Sequence, residues 1–254
     1  MSQNIWTQCE GKFKIRPRRL TAWRLVEDQY QNQTRDLVDS LEEQELLETL
    51  LEAAKPPAPA LEKAKPFHFL LWTPFRYYPL RPGSRFGTRG EKGIWYWSLE
   101  PSVALTEMAF LRLRFLNDTN APLVLQTQFT VFPATIVSNY VIDLTQKPFL
   151  SCRNQISHRL TYRYSQLLGA SMRKAYVECC LYFSVRCKDG INAAVFSLRA
   201  LAQASLNESK FQRWHCYGTK DKLEFHRSSL IKTEHLVFER AQFEIRGVFP
   251  LMEN

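Results

Sequence analysis

Residues 84 to 115, SRFGTRGEKGIWYWSLEPSVALTEMAFLRLRF, spell out a turn, a strand and a helix in succession. Gly83, Gly87, Gly90 and Gly93 punctuate a loop that also carries Arg81, Arg85, Arg89 and Lys92, so a flexible, cationic segment is expected to run into a strand. Ile94-Trp95-Tyr96-Trp97 is that strand, short and aromatic. Pro101 suits the first turn of a helix, where a missing N–H costs nothing. Ala104, Leu105, Met108, Leu111 and Phe115 then recur at helical spacing. Glu107 lies inside this helix among Ala104, Leu105, Met108 and Ala109. Facing inward, such a carboxylate is either paired or used; facing outward, it complements the helix dipole and meets water. The loop matches neither standard phosphate motif, lacking both G-x-x-x-x-G-K-[ST] and a G-x-G-x-x-G after a strand.

Upstream, residues 21 to 30 read as a first strand, and the Lys12 to Arg19 run KFKIRPRR as a solvated basic edge. Thr34 or Asp36 is placed to cap a helix through Leu37, Val38, Leu41, Leu46, Leu47, Leu50 and Leu51, with Glu42, Glu43, Glu45, Glu48 and Glu52 as its acidic face. Pro56-Pro57-Ala58-Pro59 ends it, because proline removes a donor and restricts its neighbour, and a linker follows to Pro66. Phe67 to Tyr78, FHFLLWTPFRYY, is expected to be packed and partly extended, with Arg76 within reach of a site.

Downstream, Leu123, Leu125, Thr127, Phe129 and Val131 alternate with wetter residues as in a half-buried strand, which Ile136 and Val141-Ile142 continue. Tyr162 to Met172 reads as a helix interrupted by Gly169. Val177 to Val185 and Ile191 to Phe196 form two strands joined at Lys188-Asp189-Gly190, whose D-G is a hairpin signal, and Ser184 falls late in the first of them. Further β structure is expected around His215 to Tyr217, Leu223 to His226, Leu236 to Phe238 and Phe243 to Val248. The sum is α+β, a mixed or antiparallel sheet with helices on its faces.

At 254 residues, 45% of them hydrophobic, the chain has ample material for a packed core. It contains no apolar run of the ~18 residues that spanning a membrane takes, and residues 1 to 11 lack a secretory pattern, so a cytoplasmic protein is expected. Cys9, Cys152, Cys179, Cys180, Cys187 and Cys216 show no zinc spacing, and the five histidines form no H-E-x-x-H; reduced thiols and no metal are expected. The net charge of +9 suits nucleic acid, anionic lipid or a phosphorylated small molecule alike. The basic residues are spread along the chain rather than clustered with aromatics, which argues against direct nucleic-acid binding.

The run Ser84-Arg85-Phe86-Gly87-Thr88, then Gly93-Ile94-Trp95-Tyr96, then Glu107 in Ala104-Leu105-Thr106-Glu107, resembles the signature of the RES domain, the toxin half of Xre/RES-type toxin-antitoxin pairs. The family is named for an Arg, a Glu and a Ser. Arg85 and Glu107 match the first two, and Ser184 in Tyr182-Phe183-Ser184-Val185-Arg186 the third, with Ser197 as the competing candidate. Tyr96 matches an aromatic on the intervening strand, and Trp23-Arg24-Leu25-Val26 resembles the aromatic-Arg strand with which the family tends to open. Against compact members of the family the distance from Trp23 to Arg85 is long. Residues 31–80 therefore read as a helical insertion into one domain spanning 1–254, with a separate helical subdomain as the alternative.

The resemblance implies a fold similar to ADP-ribosylating toxins and an NAD-degrading activity that cleaves the nicotinamide–ribose bond, with water or inorganic phosphate as acceptor and NAD as substrate rather than cofactor. It implies a role for each residue. Glu107 stabilises positive charge on the ribose, Arg85 holds the pyrophosphate with Arg24 as a second phosphate ligand, Tyr96 fixes the nicotinamide or ribose, and Ser184 positions rather than attacks. It also implies a helix-turn-helix antitoxin of the Xre type as partner. Two other readings stay open: transfer of ADP-ribose to a protein, and a noncatalytic basic module binding nucleic acid or protein.

Overall fold

The structure, a computed structural model, describes residues 4–28, 34–60, 67–79, 83–120, 124–228 and 233–250. Its strands are β1 (Arg16–Glu27), β2 (Trp95–Ser98), β3 (Leu125–Asp143), β4 (Cys179–Phe183), β5 (Ile191–Val195), β6 (Gln212–Gly218), β7 (Lys222–Ser228) and β8 (Thr233–Glu239). They form one eight-stranded sheet in the order β1-β2-β5-β4-β3-β6-β7-β8, with β1 also pairing β3. The β3–β4 ladder is parallel and the rest antiparallel, so the sheet is mixed and the chain α+β, as expected. The helices are α1 (Ile5–Gln8), α2 (Leu41–Ala54), α3 (Phe69–Trp72), α4 (Pro101–Asp118), α5 (Arg153–Ile156) and α6 (Arg163–Lys174).

The pairings β1–β2, β2–β5, β5–β4, β4–β3 and β3–β1 close on themselves. The 19-residue β3 makes this possible, because its first half pairs β6 up to Val131 while its last residues, from Val141, pair β4. Pro133 falls between those two ladders, where its missing N–H removes no bond to either. Strand alternation sends Trp95 and Trp97 to one face, into a cluster with Phe132, Ile136 and Val195, and Tyr96 and Ser98 to the other.

Closure is incomplete at one place. β1 meets β2 at Trp23 opposite Ser98, and no further pair between them is formed among the described residues. Continuing that ladder would set Arg24 opposite Trp97 and Leu25 opposite Tyr96; instead β1 follows β3, with Arg24 opposite Phe132 and Leu25 opposite Val131. The two strands part, and a cleft opens between them.

Several local expectations change. The first strand begins earlier and absorbs the exposed Arg16–Arg19 of the basic run. Helix α2 starts at Leu41 rather than after Thr34 or Asp36, because Ser40 and Glu43 form a reciprocal capping box, Ser40 accepting from the Glu43 N–H and Glu43 from the Ser40 N–H. Its Leu41, Leu46, Leu50 and Leu51 face solvent. Residues 69–75, read as partly extended, are a turn of α-helix followed by a 3-10 turn; His68 accepts from Leu70 N–H at its start. On α4, Leu111 and Phe115 are exposed, because Val103, Phe110, Leu113 and Leu116 are the residues that pack inward. Phe243 ends a 3-10 turn that begins at Arg240, and beyond it stands an isolated bridge from Ile245 to Val248 rather than a strand. Of the expected 31–80 insertion, residues 31–33, 61–66 and 80 lie outside the described residues, as do Arg81 and Leu123.

Candidate active site

The cleft between β1 and β2 has a volume of about 340 Å³. Arg24, Arg85, Tyr96 and Glu107 all line it, together with Arg186 and Asn192. Residues spread over more than 160 positions of sequence are therefore gathered where the β1–β2 ladder fails.

Glu107 reaches the cleft from the second turn of α4, whose Pro101 stands in the first turn. Its Oε1 accepts two hydrogen bonds of 2.6 Å, one from Ser184 Oγ and one from Asn192 Nδ2. Both donors are themselves aligned. Ser184 Oγ accepts the backbone N–H groups of Arg186, at 3.1 Å, and Cys187, at 3.0 Å, so its proton is left to point at Glu107. Asn192 Oδ1 accepts from Ser98 Oγ at 2.7 Å, which turns its amide nitrogen toward Glu107. Oε1 accepts both bonds, and no hydrogen bond to Oε2 is formed among the described residues, so Oε2 is the oxygen open to a ligand. The hydroxyl of Ser184 is committed to the Glu107 carboxylate, which it holds in place. It lies one residue beyond β4 rather than within the strand. Ser197, the competing serine, caps a 3-10 turn by accepting from Arg199 N–H and takes no part in the cleft.

Arg85 is buried to 7% exposure and is held by two backbone carbonyls, Nη1 donating to Ile156 O at 3.2 Å and His158 O at 3.0 Å. Its guanidinium carbon lies 5.0 Å from the centre of the Tyr162 ring. No carboxylate pairs with it among the described residues. The loop that carries it is far from loose. Gln166 of α6 donates to Ser84 O and Gly87 O, and Arg173 donates to Phe86 O at 2.8 Å while pairing with Glu91 at 3.1 Å. Gly169, which interrupts that helix in sequence, is what allows the contact, since a Cβ there would stand 2.1 Å from Phe86 O. The expectation of a flexible loop is corrected for this reason.

Tyr96 braces the same loop. Its hydroxyl accepts Phe86 N–H at 3.1 Å and donates to Ser84 Oγ at 3.0 Å, so its polar tip is already occupied and its ring is what it offers the cleft. Burial raises its pKa, and the phenol stays neutral. Burial likewise raises that of Tyr182, with Glu107 adding to the effect.

Arg24 and Arg186 complete the cationic wall. Arg186 stacks 3.5 Å from the Phe110 ring centre; burial lowers its pKa to about 10 against the upward pull of Glu107. Arg24 stacks 5.5 Å over Trp95, and burial alone lowers its pKa to about 10. Both remain cations at neutral pH. Two buried donors in this lining, Arg24 Nη1 and Trp97 Nε1, have no partner among the described residues, a deficit that an acceptor-rich ligand would relieve. Arg76 is elsewhere. It pairs with Glu52 of α2 at 2.8 Å and donates to Pro56 O, which removes it from the cleft.

Asn192 and Arg186 were not singled out from the sequence. Asn192 left a signal, a residue disfavoured in strands inside the apolar run Ile191–Val195. Arg186 left none beyond its neighbourhood to Ser184.

Among the described residues no helix is long and apolar enough to cross a membrane, and no cluster of three or more His, Cys, Asp or Glu is placed to hold a metal. No curated protein sequence matches the chain. Among solved structures, a chain from the crystal structure of the M. tuberculosis MbcT-MbcA toxin-antitoxin complex is similar at 10% identity and a TM-score of 0.48, over 84% of this chain and 92% of that one. A family model for the RES domain matches residues 60–216, the stretch that holds Arg85, Tyr96, Glu107, Ser184 and Asn192. With more than half its length so matched, the chain belongs to the RES domain family.

Proposed function

We propose that this protein is the toxin of a toxin-antitoxin pair and that it degrades NAD by breaking the bond between nicotinamide and ribose. The chemistry asks for one carboxylate facing a developing oxocarbenium ion, cations for a pyrophosphate, and a flat wall for a ring. The observation that carries the reading is the state of Glu107: one oxygen is gripped by Ser184 and Asn192, and the other is left to a cleft walled by Arg24, Arg85 and Arg186. In this reading Glu107 orients the ribose and stabilises the positive charge that grows as nicotinamide leaves with the bonding electrons. Water, or inorganic phosphate, then attacks the ribose carbon. Arg85 and Arg24 bind the pyrophosphate, and the Tyr96 ring borders the nicotinamide or ribose. Residues 31–80 are an insertion into a single catalytic domain.

An enzyme of this kind harms the cell that makes it unless it is restrained, so a cognate antitoxin is part of the proposal. Expression of the chain alone is expected to lower cellular NAD and stop growth, and co-expression of the neighbouring helix-turn-helix gene to restore both. A chain harmless at high expression with NAD intact would overturn the reading. A labelled macromolecule after incubation with NAD would instead indicate transfer of ADP-ribose to a protein.

Ser184 provides a sharper test. Ser184→Ala removes one donor to a carboxylate and leaves Asn192 in place, so kcat is expected to fall about ten-fold with little change in KM, the size of one hydrogen bond to a charged group. Complete loss of turnover, with the fold intact by circular dichroism, would mean that Ser184 does more than position.

A further inference from the structure

On the far side of Arg24 lies a second cavity, of about 530 Å³. Its floor is β1 at Arg24 and Val26, one wall is Phe69, Trp72 and Tyr77, and the other is Glu52 and Lys55 at the end of α2. Three features set its chemistry. The first is flat apolar surface: Phe69 and Tyr77 remain 45% and 38% exposed beside it, unusual for aromatics of a packed segment. The second is a surplus of donors. Trp72 Nε1 and Arg24 Nη1 are buried with no partner among the described residues. The third is charge, because Lys55 and Arg76 share a single carboxylate, Glu52, at 2.9 and 2.8 Å, while Arg24 pairs with none among the described residues.

The wall is braced rather than loose. Gly93 N–H donates to Tyr77 O at 2.9 Å, and a Cβ on Gly93 would stand 2.0 Å from Pro74 O, so residues 74–77 lie directly on the residue that leads into β2. The cavity is thereby tied to the strand that carries Tyr96.

Size links the two cavities. Small-molecule sites span roughly 300 to 1,000 Å³, and the active-site cleft, at about 340 Å³, is at the low end of that range, ample for one nucleoside and short for two. Arg24 lines both spaces. We propose that the second cavity binds an adenosine 5′-phosphate group, with the base stacked on Tyr77, its edge at the Trp72 indole N–H, and the phosphate toward Arg24 and Lys55. Resting on the NAD reading, it is the seat of the adenylate half of the dinucleotide, whose pyrophosphate then crosses Arg24 into the cleft. A purine offers ring nitrogens to the unmet indole donor, and the phosphate supplies the negative charge that Glu52 alone does not.

The probe is adenosine 5′-monophosphate, titrated calorimetrically into the full chain and into Tyr77→Ser, Lys55→Gln and Trp72→Ala. Tyr77 and Lys55 lie at the exposed rim, so those two variants are expected to melt as wild type does, which keeps the test independent of any folding defect in Trp72→Ala. One molecule is expected per chain, with affinity falling about ten-fold in Tyr77→Ser, the size of one base-on-aromatic stack, by a similar factor in Trp72→Ala, which removes the indole donor to the base edge, and less in Lys55→Gln. The same probe should compete with NAD, and Tyr77→Ser should raise the KM for NAD by a similar factor. A folded wild type that binds no adenosine 5′-monophosphate, or one whose affinity is unmoved by all three substitutions, overturns the site. Binding without competition against NAD overturns the dinucleotide assignment and marks a separate effector site. Failure of the cleavage reading looks different: adenosine 5′-monophosphate held through Tyr77 in a protein that releases no nicotinamide would uphold the nucleotide site and sink the chemistry.

Discussion

Glu107→Gln is expected to bind NAD nearly as well as wild type while turning it over at least roughly a hundred-fold more slowly. The substitution keeps the size of the side chain and leaves an amide oxygen where Ser184 and Asn192 now donate to Oε1 at 2.6 Å. What it removes is a full negative charge, and that charge matters most when the ribose becomes cationic. An interaction made chiefly in the transition state appears in kcat and leaves KM almost alone. The variant should also keep its stability, since both donors still find an acceptor. Calorimetry with NAD and nicotinamide release on one preparation separate the two effects. Equal turnover in variant and wild type would return Glu107 to an ordinary place on helix α4.

Arg85→Lys should behave in the opposite way, weakening NAD binding and turnover together by about ten- to a hundred-fold. Arg85 spends one terminal nitrogen on Ile156 O and His158 O and lies against the Tyr162 ring, an arrangement that holds the guanidinium plane and leaves its other edge free to receive two phosphate oxygens. A lysine keeps the charge but has neither the plane nor the fork. Its ammonium cannot satisfy both carbonyls and still meet a phosphate in the same geometry. Unchanged KM and kcat in this variant would mean that the cation acts from a distance or not at all.

How much of this was legible in the sequence depended on whether a feature was local. The turn, strand and helix of residues 84–115 follow from glycine spacing, aromatic residues and a proline in the first helical turn, and they stand as expected, with β2 at Trp95–Ser98 and α4 from Pro101. Arg85, Tyr96 and Glu107 come together because that unit is one local motif. The choice between Ser184 and Ser197 needed the tertiary structure, since both follow strands and only the hydrogen bond to Glu107 separates them. Asn192 was hidden for a similar reason: its place is set by the register of β5 against β2, Asn192 opposite Ser98, which no local pattern encodes. Tyr96 illustrates a limit of composition. A tyrosine on a site strand suggests a hydroxyl for the ligand, yet this hydroxyl is used to hold the Ser84–Phe86 turn. The late start of α2 was readable, because Ser40-Leu41-Glu42-Glu43 is a capping-box sequence, and Thr34 and Asp36 were weaker candidates than it. That Arg76 would be captured by Glu52 was not, because their partnership spans residues whose separation in sequence says nothing of their contact.

The cleft between β1 and β2 is proposed to break the nicotinamide–ribose bond of NAD. Purified protein incubated with NAD at neutral pH, with and without inorganic phosphate, and resolved by chromatography with mass detection tests it directly. One nicotinamide is expected for each NAD lost, matched by ADP-ribose in water or its 1″-phosphate when phosphate is present, and at least roughly a hundred-fold less of either from Glu107→Gln. NAD left intact by a folded wild-type protein, or consumed without release of nicotinamide, would contradict it.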